Sequence, residues 1–267
     1  MALNRSRIPI LLLFCIAGAI AIFLVSRKQE PGPEAAEKSV TSEVKASAAL
    51  REPARNDAGN YKDVIAKLEA ERVALASRYR QAVSPAEQEN VIAQARTLVT
   101  ESVDTGIFPS WYGTPWDFNG TTEVPQQGKI ACGYFVSTVL RDAGWKVQRA
   151  RLAQQASENI ILSLTTDPYV KRFRRVAIGD FVDVVKQWGA GLYVVGLDIH
   201  TGFILNSGGE VYFIHSSYVE PYTVVREKAI ESRILAASSY RVLGKVTADD
   251  VFIRKWLLKT EITTRTA

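Results

Sequence analysis

The sequence contains few of the residues that carry catalytic and metal-binding chemistry. Its 267 residues include two cysteines, Cys15 and Cys132, and two histidines, His200 and His215. Cys15 lies in an apolar N-terminal run, so the two cysteines cannot form a disulfide within a folded domain. Two cysteines are also too few for a cysteine-ligated metal cluster. We expect neither a metal ion nor a cofactor, and any cysteine–histidine chemistry must use these few residues.

The chain also lacks a strong excess of charge. Lys and Arg number 33 and Asp and Glu number 28, which gives a formal net charge of +5. The basic residues are spread along the chain, so a nucleic-acid partner is not indicated. An affinity for an anionic polymer or a lipid surface stays open. The length allows one sizeable core with attachments.

A long uncharged run near the N-terminus predicts a membrane anchor over residues 1–28. Residues 8–25 carry no charge, and about 17–25 apolar residues are needed to span a bilayer. No small-x-small cleavage site follows Phe23, which argues against a cleaved signal. Phe14 before Cys15 is unfavourable for a lipoprotein signal. Basic residues flank both ends of the run, so charge does not set the orientation.

The next segment, residues 29–60, predicts a disordered tether. It is rich in Glu, Pro, Ala, Ser and Lys and has no aromatic residue, a composition that cannot bury a core. Most of the chain follows the apolar run, so export is the simplest interpretation. We therefore expect a membrane-anchored protein whose domain lies on the extracytoplasmic side, in the periplasm or at the cell envelope.

Two helices are predicted over residues 61–104. Apolar residues recur at helical spacing over residues 61–82. A second helix begins after Ser84, which is its N-cap, and reaches about Thr100. Pro85 takes its first position and Glu87 its third, as is typical of a helix start. The pair forms either a hairpin packed on the following domain, residues 105–267, or a short coiled-coil arm.

Cys132 lies at the predicted start of an amphipathic helix with Gly144 as its C-cap. A thiol there feels the positive end of the helix dipole, so we expect a pKa lowered from about 8.5 towards 3.5–7.5. The competing interpretation is an inert buried cysteine. The apolar stripe of this helix is formed by Phe135, Val136, Val139 and Leu140.

The C-terminal half is rich in predicted strands, and the whole domain is predicted to be α+β. Residues 192–205 and 210–217 are two β-rich runs joined by a turn over 206–209, so each carries one histidine on neighbouring antiparallel strands. The other predicted elements are a helix over 147–164, a strand-like segment over 179–185, a helix near 225–235 and a strand over 238–246.

These elements place a cysteine, a histidine and a second polar group in the order that thiol catalysis requires. A thiol nucleophile needs a base, and the base needs a third group to hold its ring. We predict Cys132 as the nucleophile, His200 as the base and His215 as its orienting partner. Asp198 lies two residues before His200 and competes with His215 for the orienting role.

The same residues resemble the NlpC-type cell-wall cysteine peptidases, a family with a papain-like fold. The family's Gly-x-Pro-Tyr-x-x-Gly-Gly loop is similar to residues 113–120, with Trp116 for the tyrosine. Its cysteine helix is similar to residues 132–136 and its His-x-Gly strand to residues 200–204. Its third polar position, often histidine, corresponds to His215. The resemblance covers about residues 113–217.

The resemblance implies cleavage of an amide bond in peptidoglycan stem peptides. The position of Cys132 at a helix start predicts that its backbone N–H donates to the oxyanion, as helix N-termini do. Ala131 and Gly133 replace the family's usual Asp and Ser, which help to bind the substrate's amino group, so the usual muropeptide specificity does not follow. Alternatives are a thiol acyltransferase or lipid-amide hydrolase, or a catalytically inactive wall-binding module. The predicted substrate-binding residues are Tyr112, Trp116, Tyr134 and Asp198.

Basic residues in the segment 145–177 are open to two interpretations. Lys171, Arg172, Arg174 and Arg175 lie close together in this segment. They shape a second pocket or form a solvated charged face, and charge runs of this kind usually form solvated faces. We therefore predict a solvated face.

Overall fold

The computed structural model describes residues 58–266. The predicted membrane anchor, residues 1–28, and most of the predicted tether, residues 29–60, lie outside the described residues. Within residues 58–266, no helix combines the length and the apolar character needed to cross a bilayer.

The described chain begins with two long helices, α1 (Ala58–Gln81) and α2 (Pro85–Ser102). Ser84 is the N-cap of α2 and accepts a hydrogen bond from the backbone N–H of Glu87. The Glu87 carboxylate in turn accepts one from the backbone N–H of Val83 at 2.7 Å. These reciprocal bonds satisfy N–H groups at the helix start and confirm the predicted start of the second helix.

The two helices pack on the rest of the chain as a hairpin. The Tyr61 hydroxyl donates to Asp142 Oδ2 at 2.7 Å and accepts a bond from Trp111 Nε1 at 2.9 Å. Arg72 donates to the backbone carbonyl of Leu257 at 2.6 Å. Buried residues of both helices share one apolar cluster with the domain that follows. Of the two arrangements predicted, the packed hairpin is therefore present.

A π-helical turn, Val103–Ile107, and a short helix, α3 (Phe108–Trp111), lead from the hairpin into a loop. The next helix is α4 (Cys132–Asp142), and Gly144 follows it with φ of +106°. A positive φ after a helix end favours glycine, as predicted. The apolar stripe of α4 is fully buried, which confirms the predicted amphipathic helix.

An antiparallel sheet of six strands forms the centre of the domain, in the order β2-β7-β3-β4-β5-β6. A separate pair of two-residue strands, β1 and β8, is parallel. The strands are β1 (Lys146–Val147), β2 (Val170–Arg174), β3 (Gly191–Leu197), β4 (Thr201–Asn206), β5 (Val211–Ser216), β6 (Val224–Lys228), β7 (Tyr240–Gly244) and β8 (Glu261–Ile262).

Helices cover both faces of this sheet, which makes the described chain α+β. On β4, Phe203 packs into the cluster that contains α4, and Ile204 packs into the cluster on the opposite face. This alternation follows from the two-residue period of a strand. The remaining helices are α5 (Arg149–Ala153), α6 (Ser157–Leu164), α7 (Ile178–Trp188), α8 (Arg233–Ala237) and α9 (Asp250–Leu257).

The predicted strand over residues 179–185 is wrong, because this segment lies within α7. Its valines favour a strand locally, but Phe181, Val182 and Val185 lie at helical spacing and bury one face against the sheet. The predicted helix over 147–164 is split into α5 and α6 by residues 154–156. Packing against distant strands decides these elements, and it overrides local propensity.

Two further predictions need correction. The β-rich run 192–205 is two strands, β3 and β4, joined by a tight turn over residues 198–200. The helix predicted near 225–235 is instead β6, a 3₁₀ turn (Ala229–Glu231) and the short α8. The turn over 206–209 is present as predicted, and the strand predicted over 238–246 is present as β7.

The basic segment forms β2, an edge strand of the sheet. Arg172 Nε donates to Glu158 Oε1 at 2.7 Å, and the guanidinium of Arg174 lies over the ring of Tyr240. Lys171 Nζ lies over the ring of Trp188, and all three basic residues are exposed. Charged side chains are common on edge strands because they discourage pairing with another chain. The predicted solvated face accounts for these residues.

Candidate active site

Cys132 is the first residue of α4, and its thiol is free and half-buried. Burial raises the pKa of this thiol above its ordinary value. Hydrogen bonds from the backbone N–H groups of Thr201, Gly133 and Cys132 itself favour the thiolate but do not outweigh burial. The expectation of a lowered pKa is therefore wrong. At neutral pH the group is a thiol, and it needs a base before it can attack.

His200 and His215 lie side by side at the start of the β4–β5 hairpin. His200 directly precedes β4, and its Nε2 lies 2.9 Å from Nδ1 of His215 on β5. The rings meet edge to face, with centroids 5.0 Å apart. Gly202 makes room for this pair, since a Cβ there would lie 2.8 Å from the Cβ of His215. The hairpin thus brings the two predicted histidines into direct contact.

A carboxylate on the next strand, not predicted from the sequence, extends this pair. Glu227 lies on β6, and its Oε1 is 3.3 Å from Nε2 of His215. The prediction missed it because residues 225–235 were expected to be helical. The signal that could have found it is the alternation in the sequence of β6, which sends every second side chain to the same sheet face.

Both histidines are buried and hold lowered pKa values. Burial, followed by the electrostatic influence of the nearby His215 ring, holds the pKa of His200 well below its ordinary value. Burial also lowers the pKa of His215, although Glu227 opposes this change. The two rings are therefore neutral at neutral pH. Within residues 58–266, Nδ1 of His200 has no hydrogen-bond partner, so this nitrogen is not engaged by another group.

The start of β4 connects Cys132 with the histidine pair. The backbone N–H that reaches its sulfur belongs to Thr201, the residue after His200. The Ser216 hydroxyl of β5 donates to the carbonyl of Ile130 at 2.7 Å, which ties the loop before Cys132 to the same sheet. Among the described residues, no hydrogen bond joins the sulfur to His200. The thiol thus contacts the residue directly after His200 and has no preformed bond to the imidazole.

Asp198 does not take the orienting role. Its Oδ2 accepts bonds from the Ser239 backbone N–H at 2.7 Å and the Ser238 hydroxyl at 3.2 Å. Its Oδ1 accepts one from the Tyr240 backbone N–H at 3.1 Å. These contacts commit the carboxylate to the start of β7, and His215 holds the ring of His200.

The predicted pocket residues differ in how they relate to His200. The Trp116 ring lies 6.5 Å from that of Tyr218, and the Tyr218 ring lies 5.0 Å from that of His200. Tyr218 was not predicted, and its sequence context of turn residues gave no signal. Trp116 therefore belongs to the surroundings of the histidine pair.

Tyr134 and Tyr112 make other contacts. Tyr134 lies on α4, and the guanidinium carbon of Arg149 lies 4.9 Å from the centroid of its ring. Tyr112 is mostly buried, and burial raises its pKa to about 12 despite the nearby charge of Arg226. Tyr134 stays close to Cys132 along the helix, whereas Tyr112 packs beside Arg226 and not beside the histidines.

Neither a protein-family model, nor a curated protein, nor a solved structure matches this chain. Within residues 58–266, no cluster of three or more His, Cys, Asp or Glu side chains is arranged to hold a metal ion. What the site offers is a thiol, a neutral imidazole with an unoccupied nitrogen and a second imidazole that holds it. Function must be inferred from these groups.

Proposed function

We propose that this chain is a membrane-anchored cysteine hydrolase that cleaves an amide bond, with Cys132, His200 and His215 as its catalytic groups. The observation that carries the proposal is the 2.9 Å contact between the two histidines. This contact fixes one nitrogen of His200 and leaves the other unoccupied, beside the strand start that reaches Cys132. A buried base held by a second group is the arrangement that thiol and serine nucleophiles share.

The pKa directions of the site favour general-base catalysis over a preformed ion pair. The thiol and both imidazoles are neutral at neutral pH. As the Cys132 sulfur attacks the substrate carbonyl, Nδ1 of His200 takes the thiol proton. The proton then passes to the leaving amine as the C–N bond breaks, which gives a thioester. His200 takes a proton from water, the hydroxide attacks the thioester, and the thiol leaves with that proton.

The start of α4 supports stabilisation of the oxyanion in both steps. Its N-cap residue, Ala131, makes no side-chain capping bond, and the first N–H groups of the helix, those of Cys132 and Gly133, face the reacting sulfur. Such groups carry the positive end of the helix dipole. The backbone N–H of Cys132 is the donor that we assign to the developing negative charge on the substrate oxygen.

Peptidoglycan stem peptides are the substrate class that we favour. The four NlpC-like motifs support this choice, and so does an N-terminal segment predicted to anchor the domain at the cell envelope. We assign the α+β domain to the papain-like class on the same basis, because a cysteine helix packs on an antiparallel sheet that carries the histidines. A cell-wall substrate would reach the domain in the periplasm or at the envelope face.

A specific observation favours a second candidate, a thiol acyltransferase or lipid-amide hydrolase. Four large apolar side chains on the loops near His200 are exposed, and we call them the apolar rim. Trp116 donates its backbone N–H to the carbonyl of Tyr222 at 2.7 Å, which joins two of these loops. The rim consists of Phe118, Ile199, Tyr222 and Val219, with exposed fractions of 79, 79, 54 and 40%. Exposed apolar clusters often mark binding sites for apolar groups.

One experiment separates these functions from each other and from an inactive wall-binding module. Full-length protein in detergent is incubated in parallel with peptidoglycan and with an N-acylated amine, and new amines and covalent adducts are measured by mass spectrometry. Release of stem-peptide fragments supports the first function, and an acyl group on Cys132 from the acylated amine supports the second.

The matched controls are Cys132→Ala, which must abolish both signals, and Cys15→Ser, which must preserve them. If the wild-type chain binds peptidoglycan but forms neither product nor adduct, both enzyme proposals fail and the wall-binding module is favoured.

A further inference from the structure

Three side chains form a row that runs from His200 into the sheet. Nε2 of His200 lies 2.9 Å from Nδ1 of His215, and Nε2 of His215 lies 3.3 Å from Oε1 of Glu227. A neutral imidazole carries one N–H and one lone pair, and an ionised carboxylate only accepts hydrogen bonds. The acceptor at the end of this row therefore limits where the protons of both rings can lie.

The carboxylate allows one consistent arrangement of these protons. Glu227 requires the N–H of His215 at Nε2, which leaves a lone pair at its Nδ1. His200 must then donate from Nε2, and its own lone pair is left at Nδ1. The opposite order would place a lone pair of His215 against the carboxylate, with no proton between them. Burial excludes water as an alternative partner, since His200 is 3% exposed and His215 is 0% exposed.

We propose that Glu227 is a positioning residue that sets the tautomers of both histidines, so that Nδ1 of His200 is a proton acceptor. The tautomer order stands on geometry alone, and its catalytic meaning rests on the proposed cysteine hydrolase. Nδ1 of His200 is also the nitrogen without a hydrogen-bond partner within residues 58–266. When His200 takes up the thiol proton, the positive charge is held by a row that ends in a negative group.

Glu227 acts through His215 and does not touch the reacting atoms. Its side chain is about one-third exposed, and its Oε1 lies against the buried ring of His215. A carboxylate that contacts only the second imidazole supports the base and is not a proton donor to the substrate. The pKa values of both histidines are lowered, so both rings are neutral at neutral pH. Only a neutral imidazole has two tautomers.

The test uses the fact that the whole sequence contains two histidines. Full-length protein labelled with ¹⁵N-histidine is studied in detergent micelles at pH 7.5 by long-range ¹H–¹⁵N correlation spectra, which distinguish the two tautomers. We expect both rings in the Nε2–H form. A spectrum with the proton of His200 on Nδ1 would overturn the proposal without any variant.

Three variants then test the role of the carboxylate. Glu227→Met removes the acceptor, so Nδ1–H forms of the histidines should appear, and kcat should fall at least about tenfold, within the roughly 10²–10⁴-fold that a general base contributes. KM should not change. Glu227→Gln keeps a carbonyl acceptor and should recover part of the rate. Glu210→Gln is the matched control, an exposed carboxylate 4.0 Å from Lys228, and should behave as wild type.

The outcomes separate this inference from the proposed function. If the tautomers are as expected but no substrate is cleaved by the wild type, the hydrolase proposal fails and the assigned proton order stands. If Glu227→Met keeps both the wild-type spectrum and the wild-type kcat, Glu227 does not set the tautomers and the inference fails even though the enzyme is active.

Discussion

A β-carbon on Gly133 would lie 2.3 Å from the carbonyl oxygen of Ala153, the last residue of α5. This separation is far below a van der Waals contact, so α5 leaves no room for a side chain directly after Cys132. The resemblance to NlpC-type peptidases implies a serine there that helps to bind the substrate's amino group. The close packing of α5 gives a steric reason why glycine is found instead. A side chain at this position therefore cannot bind the substrate's amino group.

Gly133→Ser should therefore destabilise the protein. The new side chain meets backbone atoms, which cannot rotate away, and we expect a loss of about 1–3 kcal/mol in the free energy of unfolding, typical of overpacking. Gly179→Ala in α7 is the control, because a Cβ there has no neighbour within 4 Å. Its stability should be unchanged or raised by up to about 1 kcal/mol. Urea denaturation measures both, and equal stabilities would show that α5 can move aside.

Alkylation of Cys132 should increase with pH beyond pH 9. Burial raises the pKa of this thiol above its ordinary value, and only the thiolate reacts rapidly with iodoacetamide. The measurement uses full-length Cys15→Ser, in which Cys132 is the one remaining cysteine, with N-acetylcysteine as the reference thiol. A rate that reaches its plateau below pH 7 would instead indicate a thiolate–imidazolium pair and would contradict the general-base mechanism.

The stability of the domain should fall as the pH decreases below about 6.5. The pKa values of His200 and His215 are lower in the folded chain than their ordinary value of 6.5, so the unfolded chain binds more protons in this window. Their contribution to stability is complete above pH 6.5 and is lost as the pH falls through the lowered pKa values. The expected slope is up to about 1.4 kcal/mol per pH unit for each histidine.

Calorimetry of the wild-type chain can measure this effect directly. At pH 5.5, thermal unfolding in buffers of different ionisation enthalpy should show uptake of roughly one to two protons. The variant with both His200→Gln and His215→Gln should lose most of this uptake. Unfolding without proton uptake at pH 5.5 would mean that the histidines titrate normally in the folded state.

Parts of the site could be predicted from local sequence, because local periodicity determines them. The apolar stripe of α4 predicted Cys132 at a helix start, and the turn over 206–209 predicted the hairpin that brings the two histidines together. Of the two, His215 lies on a strand as predicted, whereas His200 lies in the turn directly before β4. The pKa of Cys132 could not be predicted in this way. The helix dipole is a local property, but the burial that outweighs it depends on how elements distant in sequence pack around the start of the helix.

The role of Glu227 could not be predicted for a related reason. The sequence of β6 is short, and the segment becomes a strand because it pairs with β5, as Phe213 does with Glu227. Strand formation of this kind depends on cross-strand partners more than on intrinsic preference. α7 shows the reverse case, since its valines favour a strand but its packing against the sheet selects a helix.

Tyr61→Phe should weaken the attachment of the hairpin to the domain. The lost hydroxyl donates to Asp142 and accepts from Trp111, so its removal leaves a buried indole N–H without this acceptor. We expect a cost of about 1–3 kcal/mol in unfolding free energy. Tyr222→Phe, which alters an exposed tyrosine, is the control and should change stability by less than about 0.5 kcal/mol. Equal urea midpoints for the two variants would show that the hydroxyl of Tyr61 does not stabilise the fold.

Loss of the apolar rim should weaken substrate binding without unfolding the domain. Phe118→Ser and Ile199→Ser each remove an apolar side chain that is 79% exposed, so neither leaves a cavity and stability should stay within about 0.5 kcal/mol. If the rim contacts substrate, each loss of about 1 kcal/mol in apolar contact raises KM by about fivefold with kcat unchanged. Val83→Ser is the matched control, since Val83 is 91% exposed between α1 and α2. The same KM for all three variants and the wild type would remove the rim from the binding surface, and an increase seen only with the acylated amine would favour the lipid-directed function over the cell-wall function.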